Sequence, residues 1–344
     1  MAISTEQQPR RPGGHRKRAG LRRNGRRGQG LCAALDLGTN NCRLLVAKPA
    51  DGGFRIVDAF SRVVRLGEGL DETGNLSEPA INRTIDALRV CATKIRRRGV
   101  VSGRYVATAA CRNAENCDEF IRRVEDETGL YIETISAKEE ARLTVAGCFP
   151  LLDDKTPHSL VFDIGGGSTE VMWLARKGEN QEMVDWMSMP FGVVSLTERF
   201  GQGPFEPATW EVIVGELLEQ LAPFCEAYEI SGHVGNSGVQ MLGSSGTVTT
   251  LAGLTMELER YDRSRVDGSF LEFGDVHALV AGLSAMTAED RAAHPCIGTE
   301  RADMMAAGCA ILEAICRRWP VGRLRVADRG VREGILVDLI GRNA

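Results

Sequence analysis

The sequence predicts an α/β protein whose two related domains face each other across a cleft. Two observations lead there. An apolar strand that delivers an Asp into a turn of small residues, and a second apolar strand that leaves it, occur twice, at Asp36-Leu37-Gly38-Thr39-Asn40-Asn41 and at Asp163-Ile164-Gly165-Gly166-Gly167-Ser168-Thr169. Around both copies, short β-rich runs alternate with stretches of helical periodicity.

Taken in order, Leu31 to Leu35 reads as a buried strand, and Cys42 to Ala47 with Phe54 to Ala59 extends it into a meander. Ser77-Glu78-Pro79 supplies an N-cap and a first-turn proline. The apolar positions Ile81, Ile85, Leu88, Ala92 and Ile95 then predict a helix over 78–98 that stops at Gly99. A strand follows near 105–108, a helix near 116–128, a strand at 131–135 and a helix at 137–148. The second half opens the same way, with strands at 160–163, 170–175 and 183–187, and continues with helices near 192–200, 207–228 and 246–259. The boundaries predicted are a tail over 1–30, a first domain over 31–156, a second over 157–320, and a strand and helix over 321–344 that pack back near the cleft.

With 43% hydrophobic and 26% charged residues among 344, the chain can build two ordinary cores. Its apolar runs, such as 276–286, are interrupted well short of the roughly 20 residues that cross a bilayer, so no membrane partner is expected. The N-terminus lacks the basic-then-apolar pattern of a secretory signal, and the ten cysteines include no C-x-x-C pair. Both point to a cytoplasmic protein with reduced, buried thiols. Residues 1–30 hold nine Arg or Lys against the single acid Glu6, a charge of +8 that leaves −12 on the remainder of a chain whose net charge is −4. Almost devoid of apolar residues, this tail is expected to be disordered, either as a dispensable extension or as an electrostatic arm for a polyanion.

Three segments suit phosphate recognition, because glycines and small hydroxyl residues leave backbone N–H groups unobstructed and add short O–H donors. They are Gly38-Thr39-Asn40-Asn41, Gly165-Gly166-Gly167-Ser168-Thr169, and Gly243-Ser244-Ser245-Gly246-Thr247, the last running into a helical stretch whose positive end faces an anion. There is no G-x-x-x-x-G-K-[ST], and no G-x-G-x-x-G opening a helix after a strand, so P-loop and dinucleotide folds are unsupported.

Together with Asp328-Arg329-Gly330-Val331-Arg332-Glu333-Gly334, these segments resemble the exopolyphosphatase/guanosine pentaphosphate phosphohydrolase family over roughly residues 31–344. The resemblance implies two ribonuclease-H-like domains of the actin and sugar-kinase type flanking the cleft. It also implies a substrate that is inorganic polyphosphate or guanosine pentaphosphate. Longer members carry a further helical region, so chain-length preference stays open, as does a homodimer, and nucleic acid is not expected as a partner. The segment Ile135-Ser136-Ala137-Lys138-Glu139-Glu140-Ala141-Arg142 is similar to a family signature that points to hydrolysis.

Within that segment, Ser136 and Glu139 form an S-x-x-E capping box. Glu140, about 100° further round the helix, is left without a capping role and beside the cleft, where a carboxylate can take a proton from water. By resemblance Glu140 matches the catalytic base, and Arg112 aligns with an arginine placed near substrate phosphate. Asp163 and Glu170, on opposite arms of the second hairpin, are expected to hold Mg²⁺ or another divalent cation, because bare acids would repel a polyphosphate. Asp36 either joins them through water or braces its own turn. The five histidines show no metal-ligand spacing, which argues against zinc. Arg329 and Arg332 flank Gly330 and are read as either ligand contacts or braces of the domain interface. Two other classes share these hairpins: an ATP-dependent kinase or ATPase, and a non-catalytic polyphosphate or nucleotide sensor that would not need Glu140.

Overall fold

A computed structural model describes residues 30–341 except 179 and 237. The basic tail predicted over 1–30 thus lies, apart from Gly30, outside the described residues.

The described residues form two sheets. The first contains β1 (Leu31–Leu37), β2 (Asn41–Ala50), β3 (Gly53–Val63), β4 (Val100–Ala107) and β5 (Glu133–Thr134), in the order β3-β2-β1-β4-β5. The second contains β6 (His158–Ile164), β7 (Thr169–Lys177), β8 (Asn180–Met189), β9 (Val239–Ser245), β10 (Phe270–Glu272) and β11 (Arg323–Ala327), in the order β10-β11-β9-β6-β7-β8. Three antiparallel strands followed by parallel neighbours recur in both sheets, so the repeat seen in sequence is a repeat of topology. These are the two ribonuclease-H-like domains.

One strand was not legible in sequence. Val239–Ser245 is a central strand, whose last three residues stand in the sequence reading only as the start of the third phosphate segment. Gly243 interrupts its apolar run because a Cβ there would overlap the ring of Phe162 on the neighbouring strand. The helix Glu78–Arg98 starts and stops as predicted. The Ser77 side chain accepts from the Ala80 N–H, and Gly99 ends the helix at φ 65°.

The outer face of the first sheet is covered by the helices Glu78–Arg98 and Cys117–Thr128, and that of the second by Pro207–Ala227, Gly246–Thr255 and Met305–Arg318. The inner faces exchange helices. Ala137–Cys148, which follows the first domain in sequence, packs Ala141 and Cys148 with Val161, Met172 and Leu174 of the second sheet. Val331–Gly341, at the end of the second domain, packs Val331, Ile335 and Leu336 with Ala34, Leu45 and Val106 of the first. The region 321–344 is therefore divided: its strand completes the second sheet, and only its helix returns to the first.

The two exchanged helices touch at glycines. A Cβ on Gly147 would overlap the carbonyl of Gly330, and one on Gly334 would overlap the carbonyl of Leu143. The contact is backbone against backbone, which cannot swing aside as a side chain can. Gly147→Ala should therefore lower stability by about 1–3 kcal/mol, the usual scale of overpacking, even though Ala is the better helix former. Thermal denaturation would measure it, and an unchanged or raised Tm would mean the crossing is loose.

Candidate active site

Each repeat places its Asp at the end of a central strand and turns the chain with one bond. Gly38 N–H donates to Asn41 O at 2.9 Å, and Gly165 N–H donates to Ser168 O at 2.9 Å. The carbonyls of both turns are engaged: Asn40 O accepts from Val64 and Arg65, Thr39 O from Gly67, Gly165 O from Val193 and Gly166 O from Val194. The N–H groups of Thr39, Asn40, Gly166 and Gly167 find no protein acceptor among the described residues. The hairpins also pack on each other, since a Cβ on Gly166 would come within 3.0 Å of Asn40 N.

A cavity of about 350 Å³ opens between the domains. Its walls carry Gly38, Thr39, Asn40, Asn41, Gly165, Gly166, Gly167, Ser168, Ser244, Ser245, Gly246 and Thr247 from the predicted phosphate segments, with Asp36, Glu140 and Asp163. Thr169 sits one step back, its hydroxyl donating to Phe191 O at 2.7 Å. Ser244 Oγ donates to Arg329 O at 2.8 Å, and Ser245 Oγ caps the helix Gly246–Thr255 by accepting from Val248 N–H.

Glu140 is buried in the first turn of its helix, and Arg112 Nη1 donates to its Oε2 at 2.6 Å. Arg112 comes from a short helix, Ala109–Asn113, absent from the sequence reading, and it also donates to Ile135 O at 3.2 Å. It does not line the cavity that Glu140 lines; its place is behind the carboxylate. Burial pushes the Glu140 carboxyl up to about 8, with Glu170 adding to the rise and Arg112 opposing it. Burial likewise raises Asp163 to about 7, reinforced by Glu140 and Asp36, and Glu170 to about 7, where Asp163 reinforces it. Asp36 is raised by burial against the pull of Arg43 and Arg332.

Asp163 and Glu170 face each other in register across β6 and β7, which puts both on one side of the sheet. Glu170 is fully buried, and its Oε1 accepts from Ser168 Oγ at 2.7 Å and Ser188 Oγ at 2.9 Å. Glu139 differs from the sequence reading. Ser136 Oγ does cap the helix by accepting from Glu139 N–H, but the Glu139 side chain does not reach back. It pairs with Arg104 at 2.8 Å and Arg142 at 2.7 Å, and those two cations, Arg142 foremost, hold its carboxyl down at about 2.

Arg329 is occupied by Asp267, at 2.6 Å. The side chains of three other cavity arginines, Arg43, Arg301 and Arg332, have no hydrogen bond or ion pair among the described residues. Arg43 and Arg301 were missed in sequence. Arg43 sits one strand step beyond the first hairpin, an inward position signalled by alternation alone, and Arg301 lies in a loop with no local signal.

Backbone donors for an anion and a buried carboxyl line one cavity between paired ribonuclease-H-like domains, an arrangement that fits a phosphohydrolase. Comparison with known proteins narrows it. The chain belongs to the Ppx/GppA phosphatase family, whose model matches residues 45–343. It is 32% identical over 324 residues to exopolyphosphatase 2 of Mycobacterium tuberculosis, covering 90% of this chain and 98% of that protein. It is 30% identical over 314 residues to the guanosine-5'-triphosphate,3'-diphosphate pyrophosphatase of Aeromonas salmonicida, covering 91% of this chain but 60% of that one. The crystal structure of the Aquifex aeolicus member of the Ppx/GppA family superimposes with a TM-score of 0.74 at 29% identity, over 91% of this chain and 98% of that one.

Proposed function

We propose that the protein releases the terminal orthophosphate of inorganic polyphosphate, and that guanosine pentaphosphate is a second substrate. The observation that carries this reading is Glu140, a buried carboxylate free of capping work on the wall of a cavity otherwise built from anion donors. Kinship with an exopolyphosphatase along 98% of that protein's length favours polyphosphate as the principal substrate.

In this reading the hairpin amides of Thr39, Asn40, Gly166 and Gly167 grip the terminal phosphoryl oxygens, with Arg43 and Arg332 neutralising their charge. Glu140 takes the proton from the attacking water as the phosphoryl group moves in line, and no covalent intermediate is required. Arg112 holds the Glu140 carboxylate from behind, which fixes its direction and keeps its pKa from rising further. It acts through the base and not on the phosphate.

The residues present suit a divalent cation. Four carboxyls, Asp36, Glu140, Asp163 and Glu170, are all raised, chiefly by burial and further by one another, so their ionised forms are disfavoured where they stand, a strain that a bound cation would relieve. Among the described residues no three acids, histidines or cysteines stand at ligating distance, which suits Mg²⁺, an ion that binds through one or two carboxylates and keeps waters and phosphate oxygens for the rest. Asp163, on the cavity wall, would be the direct ligand, and Glu170, engaged by two serines, would orient its surroundings. When bound, such an ion supplies charge neutralisation at the phosphate oxygens.

Incubation with long-chain polyphosphate, guanosine pentaphosphate and ATP, each with Mg²⁺, tests the assignment by orthophosphate release. Release from the first two and little from ATP is expected. Release from ATP alone, or from none, overturns the reading.

A further inference from the structure

Of the ten cysteines, Cys117 is the most exposed, at 8%. It opens the helix Cys117–Thr128, while Cys111 lies six positions back in the short helix Ala109–Asn113, and the two thiols interact directly. Both line a second cavity that shares no residue with the first, together with Arg112, Asp118, Thr134 and Ser136. Across it, Cys117 Sγ meets Thr134 Oγ1 at 3.7 Å.

These surroundings favour the Cys117 thiolate. It stands at the positive end of a twelve-residue helix that no side chain caps, because the Asn116 amide is engaged on both sides by Leu76. The Cys111 thiol, assisted by Thr134, pulls Cys117 down to about 7 against the opposing effects of burial and Asp118. Cys117 and burial push Cys111 well up in return, and every other thiol displaced from its ordinary value is also raised. The pair therefore holds one thiolate that can attack and one protonated thiol that can follow.

Its position ties it to the active site. Cys111 immediately precedes Arg112, whose Nη1 serves both Glu140 Oε2 at 2.6 Å and Ile135 O at 3.2 Å. Thr134 and Ser136, on the wall of the second cavity, flank Ile135, and Ser136 caps the helix that carries Glu140. A disulfide holds its sulfurs about 2.05 Å apart, closer than two thiols in contact, so forming one draws the short helix and its Arg112 out of place.

We propose that the pair Cys111 and Cys117 is a site of oxidation by peroxides, and that its disulfide slows hydrolysis by displacing Arg112 from Glu140. The site stands without the hydrolase reading, and the effect on rate rests on it. The Cys117 thiolate attacks one peroxide oxygen, the O–O bond breaks, and the departing hydroxide takes up a proton to leave as water. The Cys111 sulfur then attacks the sulfenic sulfur so formed. Its proton and the displaced hydroxide make a second water, and the two thiols have given two electrons to the peroxide.

To test this, reduced protein is treated with hydrogen peroxide, its remaining thiols are blocked with N-ethylmaleimide, and its peptides are mapped by mass spectrometry. A disulfide between Cys111 and Cys117 should be the first oxidation product. As it forms, kcat for polyphosphate should fall by about tenfold or more with KM within a few-fold, and dithiothreitol should restore it. In Cys111→Ser, a sulfenic acid at Cys117, trapped by dimedone, should replace the disulfide. Cys117→Ser should keep its activity through the same treatment, and if that variant fails to fold, the map of the native protein still decides the site. Peroxide that leaves both thiols free, or that oxidises other cysteines first, overturns the site. A disulfide that leaves kcat unchanged overturns the link to Arg112. If the reduced protein releases no phosphate from any substrate, the hydrolase reading and the effect on rate fall together, while the disulfide map still decides the site.

Discussion

Glu140→Gln should lower turnover of polyphosphate by about a hundredfold or more, the usual scale for removing a general base, while KM stays within a few-fold. Glutamine keeps the shape of the side chain, and its amide oxygen can still accept from Arg112 Nη1, so the first turn of the helix and the Arg112 contact persist. What is lost is the ability to bind a proton. The matching control is Glu139→Gln, one position earlier, whose carboxylate is consumed by Arg104 and Arg142 and does not line the cavity. Measured side by side, kcat should collapse for the first and hold near wild type for the second. Near wild-type kcat in Glu140→Gln removes it from the mechanism, and an equal collapse in Glu139→Gln shows that the helix start, not the base, controls the rate.

The second large effect concerns stability against pH. Glu140, Asp163 and Glu170 are raised to about 8, 7 and 7, chiefly by burial, and in the unfolded chain they return to ordinary carboxyl values near 4. Between those limits the folded protein holds protons that the unfolded chain has released, so stability falls as pH rises from about 4.5 through 8 and then levels. Because the three carboxyls interact, they should titrate as a group. Metal-free protein should therefore lose several degrees of Tm between about pH 5 and 8, with each kcal/mol worth roughly 2–4 °C in domains of this size. Asp163→Asn should flatten that slope and raise Tm at the alkaline end, at the expense of activity, as expected where a site is kept under electrostatic stress for function. Added Mg²⁺ should raise the Tm of the native protein at high pH more than that of the variant. A flat profile, or equal Mg²⁺ shifts in the two proteins, would show that these acids are neither strained nor cation-seeking.

Much of this architecture could be read from the sequence because its signals are local. The hairpins at Gly38 and Gly165 announce themselves through an apolar run, an Asp and a cluster of small residues, and each is closed by a bond between near neighbours. The helices Glu78–Arg98 and Ala137–Cys148 carry their own caps. The strand Val239–Ser245 was hidden because its pattern depends on Phe162, about eighty positions away, which requires a glycine in mid-strand. Arg112 was picked out, but its place behind Glu140 comes from a short helix whose only local sign is a run of alanines. The capping box at Ser136 formed in part because Arg142, one turn along the same helix, and Arg104, from the strand Val100–Ala107, outcompete the helix start for the Glu139 carboxylate. The free arginines Arg43 and Arg301 acquire meaning only from what fails to reach them, which is a property of the assembled cavity and not of any stretch of chain.

The crossing at Gly147 and Gly334 has a bearing on how the molecule can be dissected. Since each domain is finished by a helix from the other half of the chain, neither corresponds to a contiguous stretch that could be excised whole. A break in the exposed segment 153–155 would leave an amino-terminal piece with the second domain's inner helix and a carboxyl-terminal piece with the first domain's. Each fragment would then bear an apolar surface that only the other can cover, the property that makes a split protein complement itself from its halves.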